Sequence, residues 1–410
     1  MRMTATAVVL ALTGSMALAS TAAAGPAAAV GNAPCDRGLG AAQPYAEFVA
    51  GNAAHSPDSE GAVVIGGDAD FTGGFTAGGK LTDTEVDALP GRAALVVAGD
   101  VDLGGGTTTA MRGDFVHGGA LKNPGAAEAL EGKVVQAPPP VDVPGAFRDL
   151  RALSETLSKT GTTTGAIAEL RGTGHRVLAL TGVDPTLNVF TVDAAELEKA
   201  QEIELTVPDG ATTLVNIAGD SYDMAKAGTT AVKIFDWDAK TLVIDDKNTS
   251  ANDGRTRAGL LWNLRGEGTF AKSSQAAWPG AVLAPFAHVD LGTGAPVNGT
   301  VVARTLKATD GAETHHVPFQ GCLSAVGVPA PTPVPTPTRT STPTSAAPVT
   351  PPPAPSTTAS PSSTAPSTGK HLADTGAAPT GLLLGSGLAL IGAGAVSAAA
   401  LRRRARKPHH

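Results

Sequence analysis

Cysteine, aromatic side chains and charge are all scarce in this chain. Two cysteines in 410 residues exclude a disulfide-scaffold miniprotein and the usual four-ligand zinc modules. Aromatics make up 4% and charged residues 16% of the sequence, which argues against a conventional helical core of large side chains. Lys and Arg number 30 against 37 Asp and Glu, a net charge of −7. That balance excludes nucleic acid as the main partner, since phosphate neutralisation needs clustered cations. Also missing are HExxH, a GxSxG elbow, and a glycine-rich phosphate loop opening a helix with Lys-Ser/Thr. What is plentiful is glycine (50) and proline (31), residues of tight corners and extended segments.

The two ends read as addresses. Arg2 and the apolar stretch Ala5 to Ala19 are followed by small-residue cleavage sites after Ala24 or Ala29, so 1–29 reads as a secretory signal peptide. At the other end, the uncharged run 380–401 has 22 residues, about 33 Å as a helix and long enough for a membrane span. The cations Arg402, Arg403, Arg404, Arg406 and Lys407 follow it and would stay cytoplasmic. Removing Arg2 and those five cations takes the charge from −7 to −13. Before the span, 329–370 holds 13 Pro and 18 Ser/Thr in 42 positions. Such a segment cannot bury enough apolar surface to fold, and 328–371 reads as a disordered, extended wall-spanning stalk.

The region 30–327 is long enough for a sizeable core. Cys35 and Cys322 bracket it, and a bridge between them would tie its ends together in an exported, disulfide-permissive setting. Inside, Gly61-Ala62-Val63-Val64-Ile65-Gly66-Gly67-Asp68-Ala69-Asp70 is echoed by Ala93-Ala94-Leu95-Val96-Val97-Ala98-Gly99-Asp100-Val101-Asp102. A weaker copy starts at Met111, and similar runs return at 213–220, 280–285 and 298–303. Each is a short β-branched run closed by Gly, Asp or Asn, as a strand ending in a tight corner requires. The repetition predicts a mainly β domain, a parallel β-helix or β-solenoid. Phe147, Leu150, Leu153 and Leu157 recur at helical spacing, predicting one amphipathic helix packed alongside over 145–160. A second, charged helix is expected at 193–202.

Two resemblances follow from these residues. Leu372-Ala373-Asp374-Thr375-Gly376, placed before a span and a basic tail, resembles the LAxTG sorting signal read by class E sortases of actinobacteria. It implies cleavage after Thr375 and covalent linkage of that carboxyl to peptidoglycan, so that a sortase and the wall are partners and the mature protein lies at the cell surface. The membrane is then a partner only through the precursor's C-terminal helix. The motifs 61–68, 260–264, 280–285, 298–303 and 316–321 resemble those of bacterial surface proteins called choice-of-anchor A. That resemblance implies a β-helical adhesive domain with no catalytic residues and an unnamed extracellular ligand.

Candidate chemistry is sparse. Asp68 and Asp70 stand at positions equivalent to Asp100 and Asp102, so stacked carboxylates could hold Ca²⁺; solvated corner residues are the competing reading. Asp236/Asp238 and Asp245/Asp246 beside Trp237 form the only pattern suggesting glycoside hydrolysis. His315-His316 belongs to a closing strand. A regular Thr-x-Thr ladder, which a flat ice-binding face needs, is absent. The sequence therefore predicts a secreted, wall-anchored binding protein rather than an enzyme, with a structural wall component as the alternative.

Overall fold

The computed structural model describes residues 38–309 and 311–323. The predicted signal peptide, stalk, sorting residues Leu372 to Gly376 and membrane span lie outside the described residues, as does Cys35. Short parallel strands stack in coils, confirming the mainly β solenoid. The longest side runs, in spatial order, through Val134–Gln136, Asp114–His117, Ala93–Val97, Ala62–Ile65, Tyr45–Val49, Val301–Ala308, Ala281–Asp290, Leu260–Leu264, Thr212–Ala218 and Leu187–Asp193. At about 4.8 Å per strand this side is roughly 43 Å long.

That order departs from simple sequential stacking. The chain begins in the middle of the stack and builds coil upon coil to one end, at Val134–Gln136. The helix Val143–Ser158 then packs along the outside. Building resumes at the far end, at Leu187–Asp193, and returns to the middle. There the last coil pairs with the first: Glu47, Phe48 and Val49 stand opposite Val301, Val302 and Ala303, and Ala53–His55 opposite Leu306 to Ala308.

Both surfaces of the long side are buried, which is why its strands read as unbroken apolar runs rather than alternating ones. Val63, Ile65, Leu95, Val97, Val282 and Val301 point into the solenoid. Their neighbours Val64, Val96, Leu283, Val302 and Phe48 point out and are covered by the helix. Phe147 of the helix stacks on Phe48, ring centroids 5.5 Å apart, with Leu150, Leu153 and Leu157 continuing the same stripe. Asp142 caps the helix by accepting from the Gly145 N–H at 3.0 Å. The few aromatics are concentrated inside: Trp262, Trp278, Tyr222 and Phe270 form one cluster with centroids 4.6 to 5.6 Å apart.

One outward row changes character where the helix ends. In register it reads Val96, Val64, Phe48, Val302, Leu283, Asn263, Asn216. The two asparagines face the last helical turns, whose carbonyls lack intrahelical partners. Asn216 donates to the Leu157 carbonyl at 2.8 Å, and Asn263 donates to the Ser154 carbonyl at 3.1 Å. Asn263 also donates to Asn216 Oδ1 at 2.9 Å and accepts from the Ser154 hydroxyl at 2.6 Å. All three side chains are buried.

The second helix expected at 193–202 is shorter. Only Ala194–Leu197 is helical, capped by Asp193 accepting from Ala195 N–H at 2.8 Å. Glu202–Thr206 is a strand instead, because Ile203 and Leu205 alternate into the core. Solenoid packing overrides the helix propensity of the Glu and Lys residues there.

Replacing Asn263 by Leu removes the acceptor of the Ser154 hydroxyl and the donor to Asn216 Oδ1 in a buried seam. The expected loss is about 1–3 kcal/mol, read as a lower urea midpoint at unchanged slope; an unchanged midpoint would show that the network contributes nothing.

Candidate functional site

With the long side covered by the helix, the surfaces open to a ligand are the corners and the remaining sides. The corner after the long side is built by a ladder. Asn52 Oδ1 accepts from Asp68 N–H at 2.9 Å, Asp68 Oδ1 from Asp100 N–H at 2.9 Å, and Asp100 Oδ1 from Ala120 N–H at 2.7 Å. Each carboxylate or amide thus caps the next coil. The glycine before each recipient makes room for it. A Cβ on Gly67 would lie 2.2 Å from Asn52 Oδ1, on Gly99 2.2 Å from Asp68 Oδ1, and on Gly119 2.3 Å from Asp100 Oδ1.

Asp70 and Asp102 serve the following turn, accepting from Thr72 N–H at 3.0 Å and Gly104 N–H at 3.1 Å. Asp102 also pairs with Lys122 at 3.2 Å. The backbone amide of Gly104 and then Lys122 hold its carboxyl below the usual carboxylate range. The structure therefore gives all four proposed calcium ligands a hydrogen-bonding role at corners. Among the described residues no group of three or more His, Cys, Asp or Glu is arranged to hold a metal ion.

The side carrying these turns presents a charged row: Lys122, Asp102, Asp70 and Ala54 in one run of coils, then Lys307 and Asp290 at 3.3 Å. The third side is formed by Ala127–Ala129, Thr108–Ala110, Phe75–Ala77, Asp58–Ser59, Thr314–His315, Val297–Asn298 and Trp278–Pro279. Its register places Glu128, Thr109, Thr76 and Asp58 in one row, so only two threonines stand together.

A separate five-stranded sheet has an outward face that is half-buried at its centre and exposed at its edges. Its strands are, in order, Ile167–Arg171, Val177–Thr181, Glu202–Thr206, Ala231–Asp236 and Thr241–Ile244, with antiparallel pairs at both edges. Leu178, Leu180, Ile203, Leu205, Val232 and Ile234 point into the core. The alternate residues face out in two rows. One contains Ile167, Thr181, Thr206, Phe235 and Leu242, and the other Glu169, Ala179, Glu204, Lys233 and Ile244. Ile167 and Ile244 at the edges are 56% and 48% exposed. At the centre Lys233 pairs with Glu202 at 2.8 Å. Burial tends to raise the Glu202 carboxyl, but Lys233 outweighs it and holds the group down. Glu204 is pushed up, first by burial and then by the neighbouring Glu202 charge.

The residues considered for glycoside hydrolysis serve the fold. Asp236 accepts from the amides of Asp238, Ala239 and Asn252, and Asp246 from Asn248 and Thr249. Asp245 is buried against Ser250, Asn298 and Arg257. Trp237 donates its indole N–H to the Val207 carbonyl at 2.8 Å, and the Lys240 ammonium lies 5.5 Å above its ring. No stacking platform is left. Lys272, which sequence reasoning did not single out, is fully buried with its ammonium donating to the Ser274 carbonyl at 3.1 Å, and burial pulls its pKa down to about 8. Cys322 is not a free thiol; its amide donates to Thr212 Oγ1 at 2.7 Å. No described helix is long and apolar enough to cross a membrane.

Short parallel strands stacked in coils, with a helix along one side, define the fold class as a parallel β-solenoid. The match to known families is specific: residues 38–316 fit the family described as "Putative Ice-binding-like adhesive domain", and the chain belongs to that family. Similar solved structures include an ice-binding protein from the Antarctic ascomycete Antarctomyces psychrotrophicus, with 14% identity, TM-score 0.31, and coverage of 68% of this chain and 97% of that one. Another is an ice-binding protein from an Antarctic biological consortium, with 13% identity, TM-score 0.31, and coverage of 68% and 90%. A third is a domain of Shewanella frigidimarina ice-binding protein 1, with 13% identity, TM-score 0.28, and coverage of 69% and 98%. Among curated proteins nothing matches.

The family match corrects the resemblance to choice-of-anchor A proteins. The runs 61–68, 260–264, 280–285 and 298–303 are solenoid strands and corners. Any stacked coil needs short β-branched runs ended by Gly, Asp or Asn, so such motifs report the architecture and not the family. The match ends at 316 and shows no sorting signal.

The ladder makes a paired prediction. Gly99→Ala forces the Asp68 carboxylate and the Gly67 carbonyl apart and costs about 1–3 kcal/mol. Asp68→Asn keeps an acceptor of the kind Asn52 already supplies, and changes stability by less than about 0.5 kcal/mol. Chemical denaturation of both variants, with calcium and with chelator, checks this; an Asp68→Asn loss seen only with calcium present would restore a metal role.

Proposed function

We propose that this chain is an exported adhesive protein whose solenoid binds an extended surface or polymer through the five-stranded sheet. The observation that carries the reading is the match of 38–316 to an ice-binding-like adhesive family. Geometry supports the choice of face. The helix covers the middle of the long side, whereas the sheet presents apolar, hydroxyl and charged groups in register across its strands. A broad, flat, mixed surface suits many weak contacts with a repeating target better than one deep contact with a small molecule.

Ice, for which the similar proteins are named, belongs in the test. The outward row that holds Thr181 and Thr206 continues into Phe235 and Leu242, so the regular hydroxyl array expected of an ice-binding face stops after two residues. A polymer or cell-surface target is therefore the favoured ligand. Wall attachment through Thr375 rests on the sequence 372–407 alone, and belongs to the same proposal of surface display, with a sortase and peptidoglycan as partners.

Saturation binding of the purified chain to matrix proteins, chitin, cellulose, wall glycans and ice, with calcium and with chelator, tests the proposal. Binding to one target is expected to saturate and to weaken at least tenfold, about 1.4 kcal/mol, in Glu204→Lys/Thr206→Lys. Failure to bind any target, or soluble product released from a glycan, would overturn it. Thr375→Ala in the producing cell is expected to move the protein from the wall to the membrane fraction; an unchanged wall fraction would remove the anchoring step alone.

A further inference from the structure

The stack of coils has two ends, and the chain treats their strand edges differently. At one end lie Leu121–Lys122, Ala127–Ala129 and Val134–Gln136, strands of two or three residues. Pro124 stands just after the first, and Pro138, Pro139 and Pro140 just after the last. Short strands and neighbouring prolines keep an edge from pairing with another chain.

At the other end, the outer edge of Leu187–Asp193 is occupied by Thr163. Its N–H donates to the Val189 carbonyl at 3.1 Å. Its hydroxyl accepts from the Val189 N–H at 3.0 Å and donates to the Leu187 carbonyl at 3.2 Å. Ile167–Arg171, the last strand of the five-stranded sheet, has a different edge. It runs five residues without a proline and pairs with Val177–Thr181 in unbroken register. Among the described residues no strand pairs with its outer edge. Ile167 is 56% exposed, and Val183, beside Gly165 at the same end, is 64% exposed.

The charges on this edge are complementary to a second copy of themselves. Glu169 and Arg171 face outward and meet along the strand at 3.0 Å, 58% and 52% exposed. An exposed pair of that kind contributes little to the fold, so both groups are available to a partner. Two copies of the strand can run antiparallel about a two-fold axis perpendicular to the sheet, and residues facing each other then come from the same face. With Glu169 on the axis, two carboxylates stand opposite one another. With Leu170 on the axis, Glu169 of each copy stands opposite Arg171 of the other. Opposite charges across a strand pair stabilise it and like charges destabilise it, so the second register is selected. The far edge of the sheet, Thr241–Ile244, carries no charge and selects none.

We propose that a second copy of this chain adds its Ile167–Arg171 edge to this one, antiparallel, with Leu170 on the two-fold axis. The two five-stranded sheets then form one continuous sheet whose outward faces lie on the same side. The pairing stands on the edge alone; its use rests on the proposed function, since two linked copies of a weak binding face hold a repeating target more tightly than one. One strand pair is a small interface, so the dimer is a weak one.

Sedimentation equilibrium of the purified chain without any ligand, from about 1 μM to about 1 mM, tests the pairing. The mass is expected to double across that range. Glu169→Arg sets cation against cation and should hold the mass at the monomer value, while Glu169→Arg/Arg171→Glu should restore the doubling. A monomer at every concentration, or a dimer equally stable in Glu169→Arg, would overturn the proposal. Because no ligand is present, that failure is distinct from a failure of the chain to bind a surface. A crosslink reads the register directly. Leu170→Cys should give a reducible covalent dimer under mild oxidation, because residues directly opposite have Cα atoms about 4.5–5.5 Å apart, within reach of a disulfide. Ala168→Cys, on the same face but about 13 Å from its copy in this register, should give none; equal crosslinking of the two variants would also overturn the pairing.

Discussion

The pairing of Tyr45–Val49 with the first residues of Val301–Ala308 is the constraint on which the rest of the molecule depends. Every other pairing along the long side joins coils built one after the other. This one joins residues more than 250 positions apart, and it can form only after both series exist. Loop-closure entropy opposes so distant a contact, and the ladder on three sides of the coil must offset it. The helix Val143–Ser158 shortens the problem. It packs on outward residues of both series, including Phe48, Leu261 and Leu283, and so ties the two series together independently of that pairing.

The corners decide what the surface can be. A coil repeats every 4.8 Å or so, leaving no space at the turn for a side chain on the recipient residue. Glycine there, followed by a side-chain acceptor that caps the next coil, solves sterics and hydrogen bonding together. The consequence for function is that carboxylates such as Asp68 and Asp100, which look like a ligand ladder, are committed to backbone amides. The outward rows of the five-stranded sheet, by contrast, are not built around such corner caps.

Much of this was legible in the sequence, for identifiable reasons. The solenoid showed because the central strands of the long side are buried on both surfaces, giving apolar runs such as Val63-Val64-Ile65, and the corners after them use Gly with Asp or Asn. The helix showed because Phe147, Leu150, Leu153 and Leu157 form a stripe at the helical period. The coil order did not show. Parallel neighbours place no mark on a strand to say which strand lies beside it, so Phe48 and Val302 carry no sign that they are partners. The helix expected at 193–202 stops at Leu197 because the charged residues after it favour a helix only locally, while the strand that starts at Glu202 is fixed by Ile203 and Leu205 entering the core. The family was misread for a related reason, since the motifs that carried the resemblance are requirements of the architecture. The Asn263–Asn216–Ser154 network was invisible because its members lie 47 to 109 positions apart.

After Thr314–His315 the chain is pinned again: Gln43 donates to the Phe319 carbonyl, Gln320 donates to the Ala258 carbonyl at 2.8 Å, and Cys322 donates to Thr212. These partners belong to three different coils. The segment up to Leu323 is therefore fastened to both series. The strand behind that segment, Val301–Ala308, is hydrogen-bonded on both edges. Had the coils stacked in sequence order, the last strand would be an end strand, held on one edge and free to peel. Closing the solenoid at its middle places the last strand of the long side where two ladders must break together.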